Sequence, residues 1–265
     1  MNYNIFVEGI QGTGKSTLLR LLHQNLKEYH MYLEGDISPV ELAWCSYMTP
    51  EQYEKALLQF PDLAEEMKKH TEKEGEHYIT EYTRILAEKR GFYQYMEDFE
   101  IYNGRRTFEE FQSIILRRLE TFSGEGNLFE CALFQNIMEE LLLFYQKSSE
   151  EILDFYKRVY DRIQGKRVKL LYLRSDDIYG DILDIKKGRS DDNGKEMWFP
   201  LMMQYLNASP YGKEHEFRGL EDMVAHFERR AEEELRVIEN SMRDCTLILP
   251  AKKYRIDDVI RWLEE

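Results

Sequence analysis

Short apolar runs alternate with amphipathic stretches along this chain. Residues 3–7 form a compact, mostly apolar run, and Leu18, Leu19, Leu22 and Leu26 follow at helical spacing, so a strand and then a helix are expected over 3–29. Further short runs predict strands at 31–34, 127–130, 168–173 and 246–249, the last stopped by Pro250. Residues 50–86 read as helical and heavily charged. Thr49 is the N-cap there, Pro50 the first helical residue, and Pro61 and Gly75 interrupt the pattern. Thr107 and Glu110 make a capping box for a helix with Phe108, Phe111, Ile114, Ile115, Leu119 and Phe122 on one stripe. Helices are also predicted over 137–146, 149–164, 176–187 (capped by Ser175), 219–242 and 256–263. Strands alternating with helices predict a parallel sheet with right-handed crossovers. The expected fold is therefore α/β, three layers α/β/α on a five-stranded parallel sheet, with a helical insertion at about 50–104.

The turn between the first strand and helix carries chemistry. Gly9, Gly14, Lys15 and Ser16 satisfy the phosphate-loop pattern G-x-x-x-x-G-K-[ST]. Glycines let backbone N–H groups turn inward and make a nest for anionic oxygens. The residues from Gly9 through Gln11, Gly12, Thr13 and Gly14 to Thr17 are the candidate nucleotide cradle. Lys15 would reach the β/γ-phosphates, Ser16 would ligate Mg²⁺, and the helix N-terminus would favour the negative charge. In a protein of this phosphate-loop NTPase kind, Glu130, closing the strand at 127–130, stands where a second Mg²⁺-holding group belongs. Glu34 and Asp36 follow the second strand, and functional groups collect beyond the carboxyl ends of strands in such sheets. Either could be the base.

Composition narrows the partners. The 265 residues are 43% hydrophobic and 32% charged, which suits one globular domain of 1–265 carrying an insertion. A net charge of −14 repels phosphate backbones, so no nucleic acid polymer and no anionic membrane is expected as partner. No apolar run approaches the roughly 20 residues of a membrane span, and no basic-then-apolar leader pattern opens the chain, so a cytoplasmic protein is expected. Cys45, Cys131 and Cys245 are odd in number and widely spaced, hence expected as buried free thiols. The six histidines show no metal spacing. The charged run at 65–76 reads as a solvated face.

These residues resemble the deoxynucleoside kinase and thymidylate kinase branch of the phosphate-loop kinases, over roughly 1–45, 105–190 and 244–265. The strand followed by Glu-Gly-x-x-Gly-x-Gly-Lys-Ser-Thr is similar to both groups. The resemblance implies a kinase using ATP and Mg²⁺ on a small hydroxylated acceptor, a nucleoside or deoxynucleoside. Glu34 matches the family's base at the second strand end, with Pro39, Val40 and Trp44 following an insertion at 35–38. Glu130 matches the acid of the family's third strand, but Cys131 stands where the family has an arginine. Arg105, Arg106, Arg117 or Arg118 could replace that arginine from another element. The segment at about 174–190 resembles the lid, with Lys186, Lys187 and Arg189 as candidate phosphoryl-embracing cations, although cations also suit a helix C-terminus for dipole reasons. Phe111 and Gln112 resemble the base-reading pair, or are simply core and surface.

Two other readings stay open: a nucleoside monophosphate kinase, which needs cations at the acceptor phosphate, and a nucleotide-dependent switch protein without a small acceptor. The aromatics Tyr78, Tyr82, Phe92, Tyr93, Tyr95 and Tyr102 either line an acceptor pocket or pack the insertion. No Asn/Thr-Lys-x-Asp motif points to GTP. The helical surface after 127–130 is a candidate homodimer face.

Overall fold

The apolar runs become strands whose side chains alternate between two helical layers. A computed structural model describes residues 2–189 and 196–264. In chain order its strands are β1 (Asn4–Glu8), β2 (His30–Tyr32), β3 (Ser46–Met48), β4 (Thr71–Glu74), β5 (His77–Thr80), β6 (Asn127–Glu130), β7 (Val168–Arg174) and β8 (Thr246–Pro250). Five of them form one parallel sheet in the order β2-β6-β1-β7-β8. The register pairs Val7 with Glu130 and Glu8 with Tyr172, so the carboxyl ends of β1, β6 and β7 emerge together.

The helices are α1 (Lys15–Asn25), α2 (Pro50–Gln59), α3 (Ala64–Lys69), α4 (Phe92–Glu97), α5 (Phe108–Thr121), α6 (Gln135–Glu139), α7 (Ser149–Ile163), α8 (Ile178–Gly188), α9 (Trp198–Ala208), α10 (Pro210–His215), α11 (Leu220–Val237) and α12 (Ile256–Glu264). Ile5, Val7, Leu128, Leu171 and Leu173 pack against Leu18, Leu19 and Leu22 of α1 and Val259 and Leu263 of α12. Phe6, Phe129, Leu170 and Tyr172 point to the opposite face, against α5, α6, α7 and the end of α11. This is the period-two alternation of a sheet covered on both sides. Each such leucine or phenylalanine contributes about 1.5–3 kcal/mol by leaving water.

Thr49 caps α2 and the Thr107/Glu110 capping box holds α5, as expected, and Gln52 completes a further box at Thr49. Several expectations are corrected. The second strand ends at Tyr32 rather than at 34, leaving Glu34 in the loop beyond it. The stretch at 50–104 is not purely helical, because β3, β5 and β4 form an antiparallel sheet within and beside it. Strand β4 reads Thr-Glu-Lys-Glu, whose charges hide a strand in a pattern search, and Gly75, at φ 58°, makes the turn to β5. Helix α8 is capped by Asp177, whose carboxylate accepts the Gly180 N–H at 2.9 Å; Ser175 instead donates to Asp181. Cys45 and Cys131 are buried thiols, whereas Cys245 is only half-buried. Helices α9 and α10 were not anticipated. No described helix is long and apolar enough to cross a membrane.

Candidate active site

The loop after β1 is built on backbone conformations that its glycines permit. Gly9 has φ 136°, and a Cβ there would lie 2.5 Å from the Leu173 carbonyl oxygen of β7. Gly12 has φ 84°, and a Cβ would come within 2.8 Å of Ile185 on α8. Both positions need glycine for conformation and for close approach. Thr13 ties the loop by donating its hydroxyl to the Ile10 carbonyl at 2.8 Å. Lys15 is buried, and its ammonium donates to the carbonyls of Gly9 and Ile10, each at 2.9 Å. Its charge thus sits inside the loop concavity.

The Ser16 hydroxyl donates to Glu130, which the β1–β6 pairing carries to the same level. A hydroxyl and one carboxylate are oxygen donors of the kind Mg²⁺ takes alongside substrate phosphates. Among the described residues no group of His, Cys, Asp and Glu could hold a metal unaided.

Gln11, Gly12, Gly14, Lys15, Ser16, Thr17, Glu34, Glu130 and Arg189 all line one cleft of about 490 Å³. Gly9 and Thr13 lie behind it as supports. Glu34 accepts the Gln135 side-chain N–H at 2.8 Å and the Trp44 indole N–H at 3.4 Å. Asp36 turns elsewhere: it accepts the Leu33 N–H at 2.7 Å and pairs with the Arg84 guanidinium, outside this cleft. Arg189 reaches the cleft from the end of α8. Lys186 pairs with Glu196 at 3.2 Å and lies over the Phe199 ring, while Lys187 is exposed. Of the segment at 174–190, residue 190 falls outside the described residues.

Cys131 lines the cleft at φ 58°, its thiol pushed up by burial. None of the four arginines weighed as a replacement reaches the cleft. Arg105 pairs with Glu97 and Asp98, Arg106 donates to the Tyr47 and Phe99 carbonyls, Arg117 to the Tyr47 hydroxyl, and Arg118 to Glu74 and the Ser38 carbonyl. Phe111 is core, and Gln112 does not line the cleft. Of the aromatic set only Tyr102 does; Tyr82 and Phe92 pack the core shared by α2, α3 and α4, with Tyr78 and Tyr95 against it.

Pattern reading overlooked much of the far wall: Glu100, Asn103, Gln135, Asn136, Glu139 and, from α9, Trp198, Leu201, Met202 and Tyr205. It also overlooked a buried ionic network beneath the loop. His226 and Arg230 meet Glu139 at 2.7 and 2.6 Å, Arg230 meets Glu234 at 3.0 Å, and Arg230 donates to the Gly9 carbonyl at 3.4 Å. Burial alone would raise Glu139, but His226 and Arg230 overcome it and hold the carboxyl down to about 2. Glu8 is the opposite case. Burial pushes it up to about 8 although it accepts the Leu133 N–H at 2.6 Å. The signal for the network was present: positions 226, 230 and 234 recur every four residues on the apolar side of α11.

Compared with known proteins, this chain matches no family model and no curated protein.

Proposed function

We propose that the protein is a phosphate-loop kinase that uses ATP and Mg²⁺ to phosphorylate a hydroxyl of a small, nucleoside-like acceptor. The observation that carries this reading is the convergence on one cleft of the glycine loop, the Ser16–Glu130 pair and Glu34, from three separate loops and strand ends. A bare nucleotide-binding loop needs only the first two. Glu34, held by Gln135 and Trp44, adds a fixed proton acceptor beside the phosphate cradle.

In this reading the loop N–H groups bind phosphate oxygens, and Lys15 exchanges its carbonyl partners for β/γ-phosphate oxygens. Ser16 and Glu130 would hold Mg²⁺, which supplies charge neutralisation at those oxygens when bound. Glu34 takes the acceptor hydroxyl proton as that oxygen bonds to the γ-phosphorus and the bond from phosphorus to the β,γ-bridging oxygen breaks. Arg189 offsets charge on the transferring group. Asn136, whose side-chain N–H makes no hydrogen bond among the described residues, is available to the acceptor.

A monophosphate acceptor is less favoured, because all four candidate arginines have other partners and none reaches the cleft. A switch protein would not need Glu34 held beside the phosphate cradle by Gln135 and Trp44. The test is an acceptor screen with ATP and Mg²⁺ across nucleosides, nucleotides and hydroxylated amines, read by mass spectrometry. We expect one class to gain a single phosphoryl group, and Lys15→Ala to reduce turnover at least about 100-fold. A broad panel without any phosphorylated product sinks the proposal.

A further inference from the structure

Two buried carboxylates that line the cleft, Glu139 and Glu100, differ sharply in charge compensation. Near the loop, Glu139 is answered by His226 and Arg230. At the Tyr102–Asn103 corner, three buried carboxylates have no ion pair among the described residues. Glu100 is 1% exposed, lines the cleft, and accepts only neutral donors: the Tyr82 hydroxyl at 2.5 Å and the Asn103 side-chain N–H at 2.9 Å. Behind it Glu140, also 1% exposed, accepts the backbone N–H groups of Asn103 and Gly104 at 2.7 and 2.8 Å. Glu41, 5% exposed, accepts the Ala43 N–H at 2.6 Å, and its other oxygen has no hydrogen bond among the described residues. The Tyr102 hydroxyl lies beside Glu41 without an aligned hydrogen bond. Arg105, a cation whose field reaches Glu100, is held at the surface by Glu97 and Asp98.

A buried carboxylate ordinarily has a cationic partner, because an unpaired buried charge is strongly unfavourable. Here Glu100, with neutral donors on both oxygens, lies in the lining of the cleft. Aromatic rings of Trp44, Tyr102, Trp198 and Tyr205 share that lining, and ring faces attract ammonium groups. The cations that do line the cleft, Lys15 and Arg189, belong to the loop and the end of α8. We propose that the acceptor carries an ammonium group that completes the ion pair with Glu100 while its hydroxyl is presented to Glu34. The hydroxyl half of this statement rests on the kinase reading; the cation pocket stands on its own geometry. Burial pushes Glu100 up to about 8 and Glu41 and Glu140 to about 7, as expected of carboxylates whose counter-charge has yet to arrive. An acceptor bearing phosphate or carboxylate would meet only like charge here.

The test uses the full chain and matched pairs: 3′-amino-3′-deoxyadenosine with adenosine, glucosamine with N-acetylglucosamine, and tyramine with N-acetyltyramine. Binding is followed by ligand-observed NMR at millimolar concentration, and ATP binding by calorimetry on the same samples. The amines are expected to bind at least about tenfold more tightly than their neutral partners, as one charge-assisted hydrogen bond implies. In Glu100→Gln the preference should shrink to within about twofold. Should that variant fail to fold, the comparison in the unsubstituted protein still decides. A panel without any amine preference, or a preference unchanged in Glu100→Gln, overturns the inference. If ATP binding that is lost in Lys15→Ala persists in that case, the kinase reading survives it. An amine preference without ATP binding overturns the kinase reading alone.

Discussion

Glu34 and Asp36 are near neighbours in the chain, yet their environments differ. Glu34 faces the cleft and is held by Gln135 and Trp44, whereas Asp36 is tied to Arg84 and the Leu33 amide. On the proposed kinase reading, Glu34→Gln is expected to lower turnover by about 10²–10⁴-fold with ATP affinity retained, the usual range for a general base. Asp36→Asn should leave turnover unchanged. Steady-state kinetics on both variants checks this, and equal losses would refute the assignment. The sequence could not separate the two residues, because Gln135 and Arg84 are brought in by distant elements. Lys15, Ser16 and the loop glycines were legible, because the motif encodes local backbone geometry. Glu100 was invisible among its charged neighbours; only the packing of Tyr82 and Asn103 around it makes it buried.

Elements with strong local signals emerged as read. The strands at 127–130 and 168–173, the Thr49 N-cap and the Thr107/Glu110 capping box depend on contiguous residues. Strand β4 was missed because its residues are polar, and α9 because Met197 offers no side-chain cap before it. Helix α11 carries a message that helical periodicity contains but an apolar-stripe search discards. His226, Arg230 and Glu234 occupy its buried face, and Arg230 bridges Glu139, Glu234 and the Gly9 carbonyl. Removing the central cation leaves Glu234 without its ion pair and Glu139 with His226 alone. Arg230→Met is expected to destabilise the fold by about 3–5 kcal/mol, the cost of breaking a buried pair. Urea unfolding measures it. A loss below about 1 kcal/mol would mean that Glu139 and Glu234 are compensated elsewhere.

At the scale of the molecule, the buried acids set how stability depends on pH. Burial holds Glu8 and Glu100 near 8 and Glu41 and Glu140 near 7, all above the ordinary 4.5 of a free glutamate. Between pH 4.5 and 8 the folded chain thus binds more protons than the unfolded one. Stability from these groups is complete below 4.5 and is lost as pH rises through 7 and 8. Each contributes up to about 1.4 kcal/mol per pH unit while protonated only in the folded state. Glu139 acts in the other direction, its contribution lost only as pH falls from 4.5 toward 2. A net charge of −14 at pH 7 adds self-repulsion that works against the compact state. The urea midpoint is therefore expected to fall steadily from pH 5.5 to 8, and Glu100→Gln to flatten that fall. The slope is the readout, since the substitution also removes an acceptor from Tyr82 or Asn103 and shifts the midpoint at every pH. A midpoint that rises across this window would show these carboxylates ionised in the folded chain. The cation they lack would then already lie within the protein, and Glu100 would have no need of one from a ligand.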